Sequence, residues 1–391
     1  MKNRRAAPDH LDHLVIGGGP AGCVVALRLA ASGRRVLLVE REREAHHKVC
    51  GEFLSREAVH YLDQFGIAPL ALGAQTIHTL RLSSGRRVAA ASLPFQALSL
   101  SRCVLDEALL ARAQEKCGVV RGMAVDSLAS NGIAWIAKFS NGHSFRASAV
   151  FLANGKHDLR GFARPQGKQS DLVGFKMHWR LAPAQIAALR GCMDLFLFRG
   201  GYGGISLVEN DSANLCLVVR RSVLRSLGGW NPLLAAILES NEQLRDLLND
   251  AQPFWPRPLA ISPIPYGRLC DEDDDLWRIG DQAAVIPSFT GDGISIALHS
   301  ASLAAEMFLA GHNPANFYRT LRAQLGRSMS LATWLSRAAV TAPGRAVAFA
   351  AASLIPSLMP SVATFTRIPE RSLLRSVSLP AAATHVSTAS G

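Results

Sequence analysis

The 391-residue chain is short of charge, of lysine and of paired cysteines. Charged side chains are 18% of the sequence against 49% apolar, so wholesale disorder is excluded. At ~150 residues per domain, two or three domains are expected. The seven cysteines (Cys23, Cys50, Cys103, Cys117, Cys192, Cys216, Cys270) contain no C-x-x-C pair and are irregularly spaced. An odd, unpatterned set argues against a disulfide framework or zinc ribbon and fits a reducing compartment. No apolar stretch of signal-peptide length precedes Leu14, so a cytoplasmic protein is expected. Lysine supplies 7 of the 42 basic residues and stops at Lys176, so the formal charge of +12 is mostly arginine. No arginine run is interleaved with aromatics, which argues against a nucleic-acid groove. The excess is uneven: residues 319–391 hold eight arginines and one acid, Glu370. His46-His47 has no later partner at helical metal spacing, and the acids of 271–275 are not spaced as a calcium loop, so no metal is expected.

What is present begins at Leu14-Val15-Ile16, a short apolar run that ends in Gly17-Gly18-Gly19-Pro20-Ala21-Gly22. A helical stretch, 23–31, and a second apolar run, 36–39, follow, closed by Glu40. Gly17, Gly19 and Gly22 fit G-x-G-x-x-G in the strand–turn–helix–strand context the motif needs. The first glycine permits the turn, the second admits a pyrophosphate, and the third lets helix pack on strand. Pro20 and Ala21 open the helix, whose N-terminus offers unpaired N–H groups to phosphate. Glu40, 18 residues beyond Gly22, is placed to accept from ribose hydroxyls, with Arg41 beside it. A glutamate there suits a free 2′-hydroxyl, as in FAD or NAD, over NADP.

Further along, 56–65 has helical period, 80–83 and 88–91 read as a hairpin, and 105–113 as an amphipathic helix after Ser101-Arg102. Two strands, 133–139 and 143–147, flank the Asn141-Gly142 turn, and a separate buried strand is expected at 149–153. From 171 to 266 strand-like runs alternate with glycine-rich turns, which predicts a mostly β layer. The chain then returns through a short strand, 276–279, into Gly280-Asp281, a loop Pro287–Gly293 and a long helix, 294–310. A carboxylate at a strand end can hold a polyol hydroxyl, and a glycine loop opening a helix can face an electron-rich ring edge. The alternative for Asp292 is a plain N-cap.

The G-G-G-P-A-G turn, Glu40, Arg102, Gly280-Asp281 and the 291–293 loop together resemble the aromatic-hydroxylase-type FAD superfamily, which includes flavin monooxygenases, geranylgeranyl reductases and flavin-dependent halogenases. The resemblance spans about residues 12–312. It implies an α/β fold: a three-layer Rossmann-like FAD-binding domain with a β-meander (12–73, 101–170, 267–312) and an inserted, mostly antiparallel substrate sheet (74–100, 171–266). C-terminal helices (313–378) and a disordered tail (379–391) would follow. It implies that Gly17, Gly19 and Gly22 hold the pyrophosphate, Glu40 the adenosine ribose, Arg102 the phosphates or ribityl chain and Asp281 the ribityl chain. Gly291, Asp292, Gly293 and Ile294 would face the pyrimidine edge. The stretch Lys48-Val49-Cys50-Gly51-Glu52 is similar to a segment that lies beside the flavin in geranylgeranyl reductases and some halogenases. Cys50 and Glu52 are therefore candidate catalytic groups, together with His178 and Tyr202.

Departures narrow the reading. There is no halogenase Trp-x-Trp-x-Ile-Pro element. The Tyr-x-Trp-x-Phe-Pro element of geranylgeranyl reductases keeps only Tyr202. Asn154 replaces an aspartate in the hydroxylase motif associated with NADPH. No second glycine turn exists, so NAD(P)H, if it is the donor, would bind transiently across the FAD domain, or a separate protein would reduce the flavin. The expected activity is hydroxylation of an aromatic or polyketide-like small molecule through a flavin C4a-hydroperoxide. The alternatives are reduction of an apolar, isoprenoid-like substrate and action on a partner protein. The uncharged stretch 346–366 is long enough to span a membrane, yet rich in Ala and Ser and broken by Pro356 and Pro360. Helices packed on the catalytic domains are expected first, and peripheral membrane contact through this basic segment second.

Overall fold

The computed structural model describes residues 12–271, 274–355 and 357–375. The expected tail at 379–391 lies outside them.

Apolar strands flanked by helices build the first layer. Its sheet runs Gly118–Arg121, Val36–Glu40, Asp12–Ile16 and Ser144–Leu152, all parallel, with Trp277–Arg278 also parallel to the last. Leu14, Val15, Leu38 and Val150 are fully buried, as strands covered on both faces must be. The helix Pro20–Ala31 packs against Arg102–Gln114 and Gly293–Leu309. A Cβ on Gly22 would sit 1.8 Å from the Gly17 carbonyl oxygen, so only glycine allows this helix to meet the turn. The expected strands 143–147 and 149–153 are one strand, Ser144–Leu152. Its first half pairs antiparallel with Trp135–Phe139 and its second half parallel with Asp12–Ile16. One strand therefore carries two hydrophobic textures.

The second sheet has nine strands and is largely antiparallel. Its order is Gln252–Pro253, Leu172–Arg180, Ala213–Arg220, Gly201–Leu207, Gly191–Phe198, Gln75–Ser84, Arg87–Ser99 and Phe53–Leu54, with Leu259–Ile261 on the second strand. The 171–266 stretch is less purely β than its turns suggest. It also carries helices Pro183–Leu189, Arg221–Leu227, Trp230–Ser240 and Glu242–Leu248. Leu233, Ile237, Leu244 and Leu247 bury a helical stripe against the outer face of the sheet. These helices are short, and glycine turns broke their period.

Helices Pro314–Ala339, Ala342–Leu354 and Leu358–Phe365 follow. The uncharged stretch bends by 114° between the last two, and among the described residues no single helix is long and apolar enough to cross a membrane. Ala339, Val340, Phe349, Ala352 and Met359 close an apolar layer with Leu82, Leu172, Leu197, Tyr202 and Val218 on the inner face of the sheet.

Candidate active site

The two glycine motifs line one cleft of about 420 Å³. Gly17, Gly19, Pro20, Ala21, Glu40 and Arg41 form one end, Lys48–Cys50 and Arg102 the middle, and Gly280, Asp281, Gly293 and Ile294 the other. At the first end Gly19 occupies the N-cap and contributes no side chain, leaving the helix N–H groups open. Gly17, at φ 109°, takes a conformation other residues rarely adopt, and a Cβ there would lie 2.5 Å from the Ala153 carbonyl oxygen. Glu40 accepts from the Gly18 N–H (2.6 Å) and the Glu42 N–H (2.9 Å), which fixes its carboxylate at the cleft wall. Asp281 lines the far end, and its carboxylate has no partner among the described residues. An open helix N-terminus, a ribose-facing acid and an unspent acid at the opposite end fit a flavin dinucleotide.

Three expected cofactor residues stand differently. Gly22 lies behind the wall, packed on Gly17. Gly291 turns the loop at φ 74° with Phe53 beneath it. Asp292 is 1% exposed, and its side chain does not cap the helix Gly293–Leu309. Its Oδ1 accepts instead from Arg367 Nη1 (2.5 Å), an arginine of the C-terminal segment lying over the rings of Phe53 (5.3 Å) and Phe95 (4.9 Å). Burial pushes the Asp292 carboxyl up to about 6 despite Arg367, and nearby Glu57 adds to the rise. Distance along the chain hid this pairing from sequence reasoning.

In the middle of the cleft, Arg102 donates from Nε (2.7 Å) and Nη2 (2.8 Å) to Asp106, which also accepts from Lys48 Nζ (2.9 Å). Burial raises the Asp106 carboxyl, but Arg102 and Lys48 outweigh it and the acid stays below its ordinary range. Asp106 was missed, although its i,i+4 spacing from Arg102 on one helix is the signal that could have found it. The segment Asn154–Asp158, where Asn154 breaks the hydroxylase motif associated with NADPH, forms cleft wall, and Lys156 Nζ donates to the Val49 carbonyl (2.7 Å).

Behind Cys50 lies a buried charge cluster. Glu52 is fully buried at φ 60°, an uncommon conformation for a glutamate. Its Oε1 accepts from the Arg102 N–H (2.7 Å) and pairs with Lys176 Nζ, while its Oε2 lies 2.8 Å from His178 Nε2. Burial raises the Glu52 carboxyl, and Lys176 and His178 together overcome that and hold it low. Lys176 and His178 are two apart on Leu172–Arg180, so they share the inner face of the sheet. Cys50 lines the cleft, and its Sγ accepts from the Glu52 N–H (3.3 Å). His47 also lines the cleft, its ring 4.7 Å from His178 and 4.9 Å from Trp255. Burial, then the charges of Lys176 and His178, push His47 down to about 4, so it is neutral near pH 7. Lys176 was missed because one lysine in an apolar strand has no motif. The structure also gathers His47, Glu52 and His178 within 4.8 Å, a set that sequence spacing did not suggest. Lys176 already supplies the cation on Glu52, so the set reads as an ion pair with imidazoles.

Glu52, Cys50 and His178 are thus together, and Tyr202 is apart from them. Tyr202 lies on the same sheet face at its apolar end, 2% exposed, with its hydroxyl 2.9 Å from Ser336 Oγ and its ring edge-on to Phe289 at 5.2 Å. Burial pushes its phenol up to about 12.

Fold and cleft fit a dinucleotide-binding protein. Residues 10–118 match the family described as FAD binding domain. The chain is 26% identical over 311 residues to digeranylgeranylglycerophospholipid reductase 2 of Methanopyrus kandleri, covering 76% of each. It is 26% identical over 359 residues to menaquinone reductase of Mycobacterium tuberculosis, covering 84% of each. The solved structure of flavin-dependent brominase Bmp2 superposes with a TM-score of 0.74 at 17% identity, covering 91% of this chain and 93% of that one. The chain shares the fold of that flavoprotein structure, and the FAD-domain match and the aligned relatives support an FAD-dependent oxidoreductase.

Proposed function

We propose that the protein reduces a carbon–carbon double bond in an apolar, isoprenoid- or quinone-type substrate. The observation that carries this is the Glu52–Lys176–His178 cluster behind the cleft. Saturating a double bond requires one hydride and one proton on adjacent carbons. FAD, held by Gly17, Gly19, Glu40, Arg102 and Asp281, supplies the hydride chemistry when bound and reduced. This chain holds the proton. His178 Nε2–H donates to the Glu52 carboxylate, which also carries the Lys176 ammonium. The left-handed backbone at Glu52 and the Arg102 N–H fix that carboxylate in place. His47, neutral at the cleft wall, stands between the cluster and the cleft. Several relatives that align over three-quarters or more of the chain are named as digeranylgeranylglycerophospholipid or menaquinone reductases, which supports this reading. NAD(P)H binding transiently over the cleft is the proposed reductant.

Hydroxylation of an aromatic ring is the second reading, favoured by the 45% identity over 58 residues to 6-methylpretetramide 4-monooxygenase of Streptomyces rimosus. Turnover under strict anaerobiosis decides between them. With a dithionite- or NADPH-reduced enzyme and a detergent-dispersed menaquinone, a saturated product without oxygen supports reduction. A product formed only in air, and carrying an added oxygen atom, overturns it.

A further inference from the structure

We propose that the helix pair Ala342–Leu354 and Leu358–Phe365 docks the enzyme on an anionic lipid bilayer. The first of these helices buries Phe349 and Ala352 against the body of the protein. Its opposite face is Ala346, Val347, Ala350, Ser353 and Leu354, all exposed and none charged. An exposed face of a helix in water ordinarily carries charge, and a helix apolar all round belongs in a core or in lipid. Val347 is 67% exposed, Leu354 81% and Phe365, on the second helix, 71%. Trp334, on the preceding helix, is 65% exposed, and tryptophan suits the lipid–water boundary.

Charge selects bilayer over protein. Arg345 begins the apolar face and lies near enough to Arg199 to feel its charge. Arg87 stands over the Phe349 ring at 4.7 Å, at the edge of a hollow lined by Val88, Ala350, Ser353 and Leu354. Exposed Arg337 and Arg371 extend the basic surface on the same segment, where Glu370 is the sole acid between residues 319 and 375. Apolar side chains rimmed by arginine, with almost no acid, match acyl chains beneath phosphate headgroups. The 114° bend lets the pair lie along a surface, and among the described residues no single helix is long and apolar enough to cross one. The hollow adjoins the apolar layer over Tyr202. On the reductase reading, and resting on it, a membrane-borne substrate enters there.

The test is co-sedimentation of the full-length, flavin-loaded protein with vesicles, without substrate. Vesicles of roughly one-third phosphatidylglycerol in phosphatidylcholine should bind it, and pure phosphatidylcholine should bind at least tenfold less. High salt should weaken the binding. The double variant Val347→Asp/Leu354→Asp should lose at least tenfold in bound fraction while keeping its yellow colour and melting temperature. The milder variant Leu354→Ser should fall between. Equal binding by wild type and the double variant overturns the proposal. So does absence of binding to anionic vesicles, and so does a dimer in solution that the double variant abolishes, which would make a second copy the occupant. Turnover of detergent-dispersed substrate is read separately, so loss of docking and failure of the reductase reading are distinct results.

Discussion

Two regions of the protein treat buried carboxylates in opposite ways. On the cleft wall, Glu52 and Asp106 are held below their ordinary ranges although both are buried. At the seam with the C-terminal segment, Asp292 is pushed up to about 6 although it too has an arginine. The difference lies in the number of positively charged partners. Glu52 has Lys176, His178 and a backbone N–H, and Asp106 has Arg102 twice and Lys48. Asp292 has one cation, and its Oδ2 is buried without a partner. Desolvation outweighs a single cation at Asp292, as it does at Asp194 beside Arg81 and Gln243, whereas Lys176 with His178 at Glu52 and Arg102 with Lys48 at Asp106 outweigh it. Asp281 is the fourth case: it lines the cleft and its carboxylate has no partner among the described residues.

The largest expected effect comes from breaking the richest cluster. Glu52→Gln leaves Lys176 buried without a counter-charge and should cost about 3–5 kcal/mol in urea unfolding. Adding Lys176→Met should recover much of that loss, because the stranded charge goes with it. If the double variant is as unstable as the sum of the two single variants, the cluster does not act as a unit.

The seam makes a prediction about pH. Asp292 has a folded pKa near 6 against ~3.9 unfolded, so the native state binds the extra proton between those values. Its contribution is therefore present at acid pH and is lost as pH rises from about 4 to 6, by roughly 2–3 kcal/mol. His47 and His299, both lowered to about 4, act in the opposite direction, adding stability as pH rises through the same window. Wild type should thus gain stability with pH less steeply than the two histidines alone would drive it. Asp292→Asn removes one side of the balance and should rise more steeply with pH, in melts taken from pH 4 to 7. A parallel pair of profiles would contradict the assignment.

Smaller effects sharpen the remaining contrasts. Asp281→Ala should weaken FAD about tenfold, or ~1.4 kcal/mol, in fluorescence titration with little change in melting temperature. Unchanged affinity would show that this acid is not spent on the ligand. Tyr202→Phe removes the hydroxyl contact with Ser336 and should cost ~1 kcal/mol without altering flavin affinity. An altered flavin affinity would place Tyr202 in the cofactor site.

Sequence alone sufficed wherever the physics is local. Gly17, Gly19 and Gly22 form a turn within six residues, and Gly280-Asp281 ends a strand, so both could be read and both line or support the cleft. Cys50, Glu52 and His178 were legible as candidates, and Asp106 could have been found from its i,i+4 neighbour. Lys176 and Arg367 could not. Their partners lie 124 and 75 residues away, and only chain folding brings such charges to one point. The strand order of the sheet decided that Lys176 and His178 face Glu52 while Tyr202 faces the C-terminal helices. Local backbone rules fix turns and helix ends from a few adjacent residues. The low dielectric that ranks one buried carboxylate above another exists only once distant segments have excluded the water between them.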